Sequence, residues 1–162
     1  MLNILVLCTG NSARSILGEV LFTDLGKGRL RGFSAGSRPK GQPHPVALKT
    51  LRAHGHDTTG LRSKSWDEFA ADGVPVIDAV ITVCDNAAAE ACPVWPGAPV
   101  KAHWGLPDPA YIEDPAECRA AFEATYEALR RRISALLDAL DGDDRAALDR
   151  ALRHAVPDLP AD

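Results

Sequence analysis

Residues 2–8, Leu-Asn-Ile-Leu-Val-Leu-Cys, form an almost unbroken apolar run, which is too short for a helix and reads as a strand buried on both faces. The period changes after it. Over residues 15–25, Ile16, Leu17, Val20, Leu21 and Leu25 fall on one side of a helix. A second strand is predicted near residues 31–35, ending at Gly36. A helix follows over residues 45–54, with Pro45 in its first turn and Gly55 at its stop. Residues 57–63 are a polar connection. A shorter helix starts near Ser65 and carries Trp66 and Phe69 inward until Gly73 and Pro75 break it. Residues 79–83, Ala-Val-Ile-Thr-Val, make a third buried strand ending at Cys84. Residues 85–99 begin Ala-rich and then hold Pro93, Pro96, Gly97 and Pro99, a short helix running into an irregular loop. A fourth strand is expected over residues 100–104, then a proline-rich loop containing Asp108-Pro109. The longest amphipathic stretch carries Phe122, Tyr126, Leu129, Ile133, Leu136, Leu137 and Leu140 at steps of three and four.

Strands alternating with helices predict an α/β fold, a single domain with a central four-stranded parallel sheet flanked by helices. The domain is expected over residues 1–140. Residues 141–162 are a C-terminal extension that forms a short helix through Leu148, Leu152 and Val156, or frays. In such sheets ligands bind outside the carboxyl ends of the strands, where strand order reverses. If the strands are parallel, Cys8, Cys84 and the Asp108 loop lie on one rim.

Composition narrows the ligand. The 162 residues, 46% of them hydrophobic and 25% charged, suit one domain with a substantial core. A net charge of −4 with scattered Lys and Arg leaves no basic field for nucleic acid. The first residues are too short a run for a membrane span and lack the pattern of a signal peptide, so a cytoplasmic protein is expected, and with it a monomer. The four cysteines, Cys8, Cys84, Cys92 and Cys118, are then better explained by catalysis, redox cycling or packing than by structural crosslinks.

The candidate chemistry lies in Cys8-Thr9-Gly10-Asn11-Ser12-Ala13-Arg14. A strand ends at a thiol, Gly10 lets the backbone turn, and the loop amides with the next helix N-terminus converge on one point. Thr9, Gly10, Asn11, Ser12, Ala13, Arg14 and Ser15 are the expected anion-binding residues. The same field is expected to lower the Cys8 pKa toward the nucleophilic thiolate. Arg14 offers a planar fork for two oxygens of a tetrahedral anion, and the Ser15 hydroxyl is placed to hydrogen-bond the sulfur.

From Leu2 to about Leu140 the chain resembles the low-molecular-weight tyrosine phosphatase fold, and more closely its arsenate reductase branch. The resemblance includes Ser34-Ala35-Gly36, Cys84 with Cys92-Pro93, and His103-Trp104-Gly105 leading into Asp108-Pro109. It implies that Cys8 attacks arsenate, that Asp108 protonates the departing oxygen, and that Cys84 and then Cys92 carry the oxidation away as successive disulfides. It implies no tightly bound cofactor and reducing equivalents from thioredoxin; glutaredoxin with a low-molecular-weight thiol is the alternative reductant. Phosphate or sulfate would compete for the loop. Some relatives hold a potassium ion beside the loop, and Asn11, Glu19, Ser34 and Asp67 occupy the matching places. The rival activity on this scaffold is a tyrosine or phosphomonoester phosphatase, which needs only Cys8, Arg14 and Asp108.

The remaining polar residues have ordinary expectations. Cys118 is a packing residue, His103 and Trp104 steady the fourth strand, and His54 and His56 are solvated cap residues. Arg130, Arg131 and Arg132 belong to the wet face of the last long helix.

Overall fold

The first strand, β1 (Leu2–Cys8), alternates between two separate apolar layers, which is why nearly every one of its residues is hydrophobic. Ile4, Val6 and Cys8 enter the larger layer, and Leu5 and Leu7 the smaller one with Trp66, Phe69 and Trp95. The computed structural model describes residues 1–71, 73–84, 95, 97 and 99–155. The predicted helix and loop over residues 85–99, including Cys92, fall almost wholly outside the described residues, as does Val156.

Helix α1 (Arg14–Gly26) follows β1, then β2 (Leu30–Gly36), α2 (Pro45–Ala53), a 3₁₀ turn (Trp66–Phe69) and β3 (Ala79–Thr82). After β4 (Val100–His103) comes a second 3₁₀ turn (Pro109–Tyr111), and then α3 (Pro115–Ala139) and α4 (Arg145–Ala155). The sheet is parallel throughout, in the order β2-β1-β3-β4. Since β2 and β3 flank β1, the chain reverses its direction of winding at β1, and the end of β1 is the mouth of the switch point.

Register carries the chemistry to that mouth. Leu7 pairs with Thr82, and the Val83 amide continues the ladder to the Leu7 carbonyl at 2.9 Å. The third strand ends at Thr82, two residues short of Cys84, so Cys84 sits just beyond the sheet rather than in it. On the outer side, Thr82 Oγ1 lies 2.7 Å from His103 Nδ1 and ties β3 to β4, while Trp104 stacks on Phe22 with centroids 5.7 Å apart.

The long helix α3 starts earlier than its large apolar residues suggest. Asp114 caps it, accepting from the Glu117 amide at 2.9 Å, with Pro115 at the first position. Two surface expectations fail here. Arg132 is only 3% exposed, with Nη1 3.4 Å from the Gly105 carbonyl, because its face of α3 backs onto the chain leaving β4. His56 is likewise no solvated cap: its ring lies 2.6 Å from Asp24 Oδ2 and 2.6 Å from the Tyr126 hydroxyl, joining α1 to α3. His54 stacks on Tyr126 with centroids 4.0 Å apart and meets Glu123 at 2.8 Å.

Beyond Leu140 the chain turns into α4, which buries Ala147, Leu148, Ala151 and Leu152 in the larger layer. Arg145 at its start pairs with Asp78 Oδ1 at 3.1 Å and donates to the carbonyls of Ile77 and Gly97.

Candidate active site

The loop between β1 and α1 wraps a cleft of about 100 Å³, the scale of a small tetrahedral anion. Thr9, Gly10, Ser12, Ala13 and Arg14 line it together with Cys8. Helix α1 begins there without a side-chain cap, since Ala13 stands at its N-cap, so its first amides face the cleft. By contrast, α2 and α3 are capped by His44 and Asp114.

Asn11 and Ser15, also in the predicted anion-binding set, hydrogen-bond the sulfur. Both are fully buried and lie behind the cleft. Ser15 Oγ is 2.8 Å from Cys8 Sγ, and the Asn11 amide donates to the same sulfur at 3.2 Å. Asn11 Nδ2 donates to Ser15 Oγ at 2.8 Å, which leaves that hydroxyl's own proton for the sulfur. To make these bonds Asn11 takes a left-handed φ of 45°, uncommon outside glycine.

Arg14 lies across the top of the cleft. Its Nη1 donates to the Leu106 carbonyl at 2.8 Å and its Nη2 pairs with Asp108 Oδ2 at 3.2 Å. Asp108 is fixed in turn, since Oδ1 accepts from the Ala110 amide at 2.9 Å and caps the 3₁₀ turn after it. Cys84 reaches the same mouth, with its Sγ 3.4 Å from Thr9 Oγ1, the residue next to the nucleophile candidate. Cys8, Arg14, Asp108 and Cys84 are thus brought together; Cys92 lies outside the described residues.

The expected fall in the Cys8 pKa is not found. Burial pushes the thiol above its ordinary range, and this outweighs the hydrogen bonds from Ser15, the charge of Arg14 and the Asn11 amide, all of which pull it down.

Two residues that the motif did not announce complete the picture. Lys40 lines the cleft, with its amide on the Gly10 carbonyl at 2.9 Å and its ammonium 4.5 Å from the exposed Tyr111 ring. Only the fold brings it there, from a loop between β2 and α2. Lys64 lies on the far side of the loop, where potassium ligands were expected. Its Nζ is 3.4 Å from Glu19 Oε1 and 3.4 Å from Ser34 Oγ, and its backbone amide takes Asn11 Oδ1 at 2.9 Å. Three of the four residues expected to hold potassium are thereby engaged by Lys64. The fourth, Asp67, has its amide on Ser65 Oγ at 3.2 Å, and among the described residues its carboxylate bonds none of the others. This set does not fit a metal ion while the ammonium is in place. Cys118 is a buried packing residue on α3, its Sγ 3.7 Å from the Pro109 carbonyl.

Residues 3–146 match the low molecular weight phosphotyrosine protein phosphatase family. An arsenate reductase of Bacillus subtilis is 34% identical over 116 residues, covering 72% of this chain and 80% of that protein. A solved arsenate reductase in its phosphate-binding state superposes with a TM-score of 0.67 at 26% identity, covering 85% of this chain and 98% of the other. A thioredoxin-dependent arsenate reductase of Corynebacterium glutamicum shares the fold at a TM-score of 0.61 and 23% identity, covering 85% of this chain and 61% of its own. With the cysteine and arginine framing one anion-sized loop at the end of β1, the chain belongs to the low molecular weight phosphotyrosine protein phosphatase family, on the side where its relatives are arsenate reductases.

Proposed function

We propose that this chain reduces arsenate to arsenite through a cysteine relay that thioredoxin resets. The observation that carries the reading is the second sulfur at the mouth of the anion loop: Cys84 Sγ lies one hydroxyl away from the loop, 3.4 Å from Thr9 Oγ1. Ester hydrolysis on this scaffold has no use for a thiol there, whereas reduction needs one.

Arsenate enters among the loop amides, and the Arg14 fork turns from Asp108 onto two of its oxygens. Cys8 Sγ attacks arsenic, with Ser15 Oγ at 2.8 Å donating to the sulfur as charge develops. The thiol proton and one arsenate hydroxyl leave together as water, with Asp108 passing the proton to the departing oxygen. Cys84 then attacks Cys8 Sγ as a thiolate. The S–As bond breaks, its electron pair stays on arsenic, arsenite departs, and a Cys8–Cys84 disulfide remains. Cys92 attacks Cys84, releasing the Cys8 thiolate and moving the disulfide to Cys84–Cys92. A thioredoxin dithiol reduces that disulfide; the named thioredoxin-dependent relative of like fold supports this choice of reductant. Phosphate and sulfate share the shape and charge of arsenate, so they compete for the loop. Selectivity arises at the electron-transfer step, where arsenic alone accepts the pair.

The test is arsenate-dependent NADPH oxidation with thioredoxin and thioredoxin reductase, for the wild type and for Cys8→Ser, Cys84→Ser and Cys92→Ser. Turnover is expected from the wild type and from none of the three variants. Full activity without Cys84 sinks the relay. Turnover that requires glutathione and glutaredoxin reassigns the reductant, and phosphate-ester hydrolysis without arsenate turnover makes the chain a phosphatase.

A further inference from the structure

A lysine that is only 8% exposed is rare unless something holds its charge. Lys64 Nζ meets the Arg62 carbonyl at 2.9 Å, Ser34 Oγ at 3.4 Å and Glu19 Oε1 at 3.4 Å, three oxygens for the three protons of an ammonium. The Ser34 hydroxyl donates to the same carboxylate oxygen at 2.5 Å, so Glu19 on α1, Ser34 on β2 and Lys64 form one closed cluster. Burial pushes the Lys64 pKa down and Glu19 draws it back up.

The backbone of the same residue leads to the sulfur. The Lys64 amide donates to Asn11 Oδ1 at 2.9 Å, and its carbonyl accepts from the Gly36 amide at 2.9 Å, fastening it to the end of β2. Asn11, held at its left-handed φ of 45°, hydrogen-bonds both Ser15 Oγ and Cys8 Sγ. An unbroken line of bonds therefore runs from a buried ammonium to the nucleophile's thiol.

We propose that Lys64 is a positioning residue for the Cys8 loop, its ammonium being a built-in cation that takes the place of a bound monovalent metal ion. The inference rests on reading Cys8 as the nucleophile, and it makes the loop indifferent to added potassium. Side-chain charge fixes Lys64 against Glu19 and Ser34; the fixed backbone then pins Asn11, and Asn11 aims Ser15 and its own amide at the sulfur.

The experiment reads the full-length protein without arsenate, so its outcome is separate from that of the relay. Melting temperature and the pH profile of Cys8 alkylation by iodoacetamide, resolved by peptide mass spectrometry, are compared in potassium chloride and choline chloride at equal ionic strength. The wild type is expected to give the same values in both salts. Lys64→Met is expected to melt lower and to alkylate Cys8 roughly tenfold more slowly at neutral pH, a shift of about one pKa unit. Lys64→Ala, which leaves space beside Glu19 and Ser34, is expected to regain part of both losses in potassium and none in choline. Lys64→Arg keeps the charge and should retain most of the wild-type alkylation profile. A saturable rise of wild-type melting temperature with potassium overturns the proposal, whether or not the variants fold. So does a folded Lys64→Met whose Cys8 profile is unchanged.

Discussion

Cys8 shows how a motif can place a residue without carrying the burial that acts on it. Cysteine, arginine and the glycine loop are legible in the sequence, and so is Ser15, whose hydroxyl lies 2.8 Å from the sulfur. What the string of letters does not carry is the cost of burial: Cys8 is 3% exposed, and that desolvation raises its pKa against every local donor. Ser15 is the largest of the opposing influences, so Ser15→Ala should push the thiol still higher. Because the thiolate is the attacking species, the rising limb of the kcat/KM profile should move to higher pH. Activity near neutrality should fall about tenfold or more, as befits a lost hydrogen bond to a charged group, and should recover toward wild type as the pH is raised. A drop of equal size at every pH would mean that Ser15 shapes the loop without tuning the sulfur. Lys64 was illegible for a related reason. It falls between the polar connection read over residues 57–63 and the short helix starting near Ser65, and its burial is decided by Glu19 and Ser34, distant in the chain. His56 and Arg132 misled in the same way, since a helix stop and a charged helix face reveal nothing of the tertiary neighbour that covers them.

Among the elements, strand and helix identity followed from period where β1 is covered on both faces and α3 keeps one apolar side; α1 is buried around most of its first two turns, so its period shows less clearly. The edges depend on caps rather than on period. α3 begins at Pro115, where Asp114 and Pro115 mark a start although large apolar residues appear only later. The closeness of approach between elements was hidden entirely and depends on glycines in β2. A Cβ at Gly32 would stand 2.1 Å from the Glu19 carbonyl of α1, and one at Gly36 2.4 Å from the Thr9 carbonyl and 3.0 Å from the Asn11 amide. Both are contacts with backbone, which has no rotamer to yield. Gly32→Ala and Gly36→Ala should each destabilise the protein by about 3 kcal/mol, the upper part of the usual range for overpacking. They should differ in function. Gly36→Ala displaces the loop that carries the anion site, so phosphate affinity, read by calorimetry on the folded protein, should fall severalfold. Gly32→Ala parts α1 from β2 near Glu19 and should leave phosphate affinity closer to wild type. Equal affinities in the two variants would show that the loop is not braced by β2.

At the scale of the whole molecule, the parallel order β2-β1-β3-β4 brings Cys8, Cys84 and Asp108 to one rim, and alternation of elements was enough to foresee it. The last helix was not foreseen as firmly, because its buried face mixes Ala147 and Ala151 with Leu148 and Leu152, and small residues announce an apolar stripe weakly. That face nevertheless packs on α3, while Arg145 clasps Asp78, whose other carboxylate oxygen accepts from the Asn3 amide at the start of β1 at 2.8 Å. α4 therefore braces the end of the sheet opposite the cleft, and among the described residues none of α4 lines the anion site. Stability and chemistry should accordingly separate here. Leu148 is fully buried, and Leu148→Ala should cost about 2–5 kcal/mol in urea unfolding through lost contacts and the cavity left behind. Below the new melting temperature, kcat and phosphate affinity should stay near wild type, since no bond in the path from Cys8 to Asp108 or Lys64 passes through α4. An unchanged unfolding midpoint would mean that the helix only lies on the domain. A fall in kcat at full folding would mean that the far end of the sheet communicates with the loop, through β3 and the Val83–Leu7 ladder bond beside Cys84.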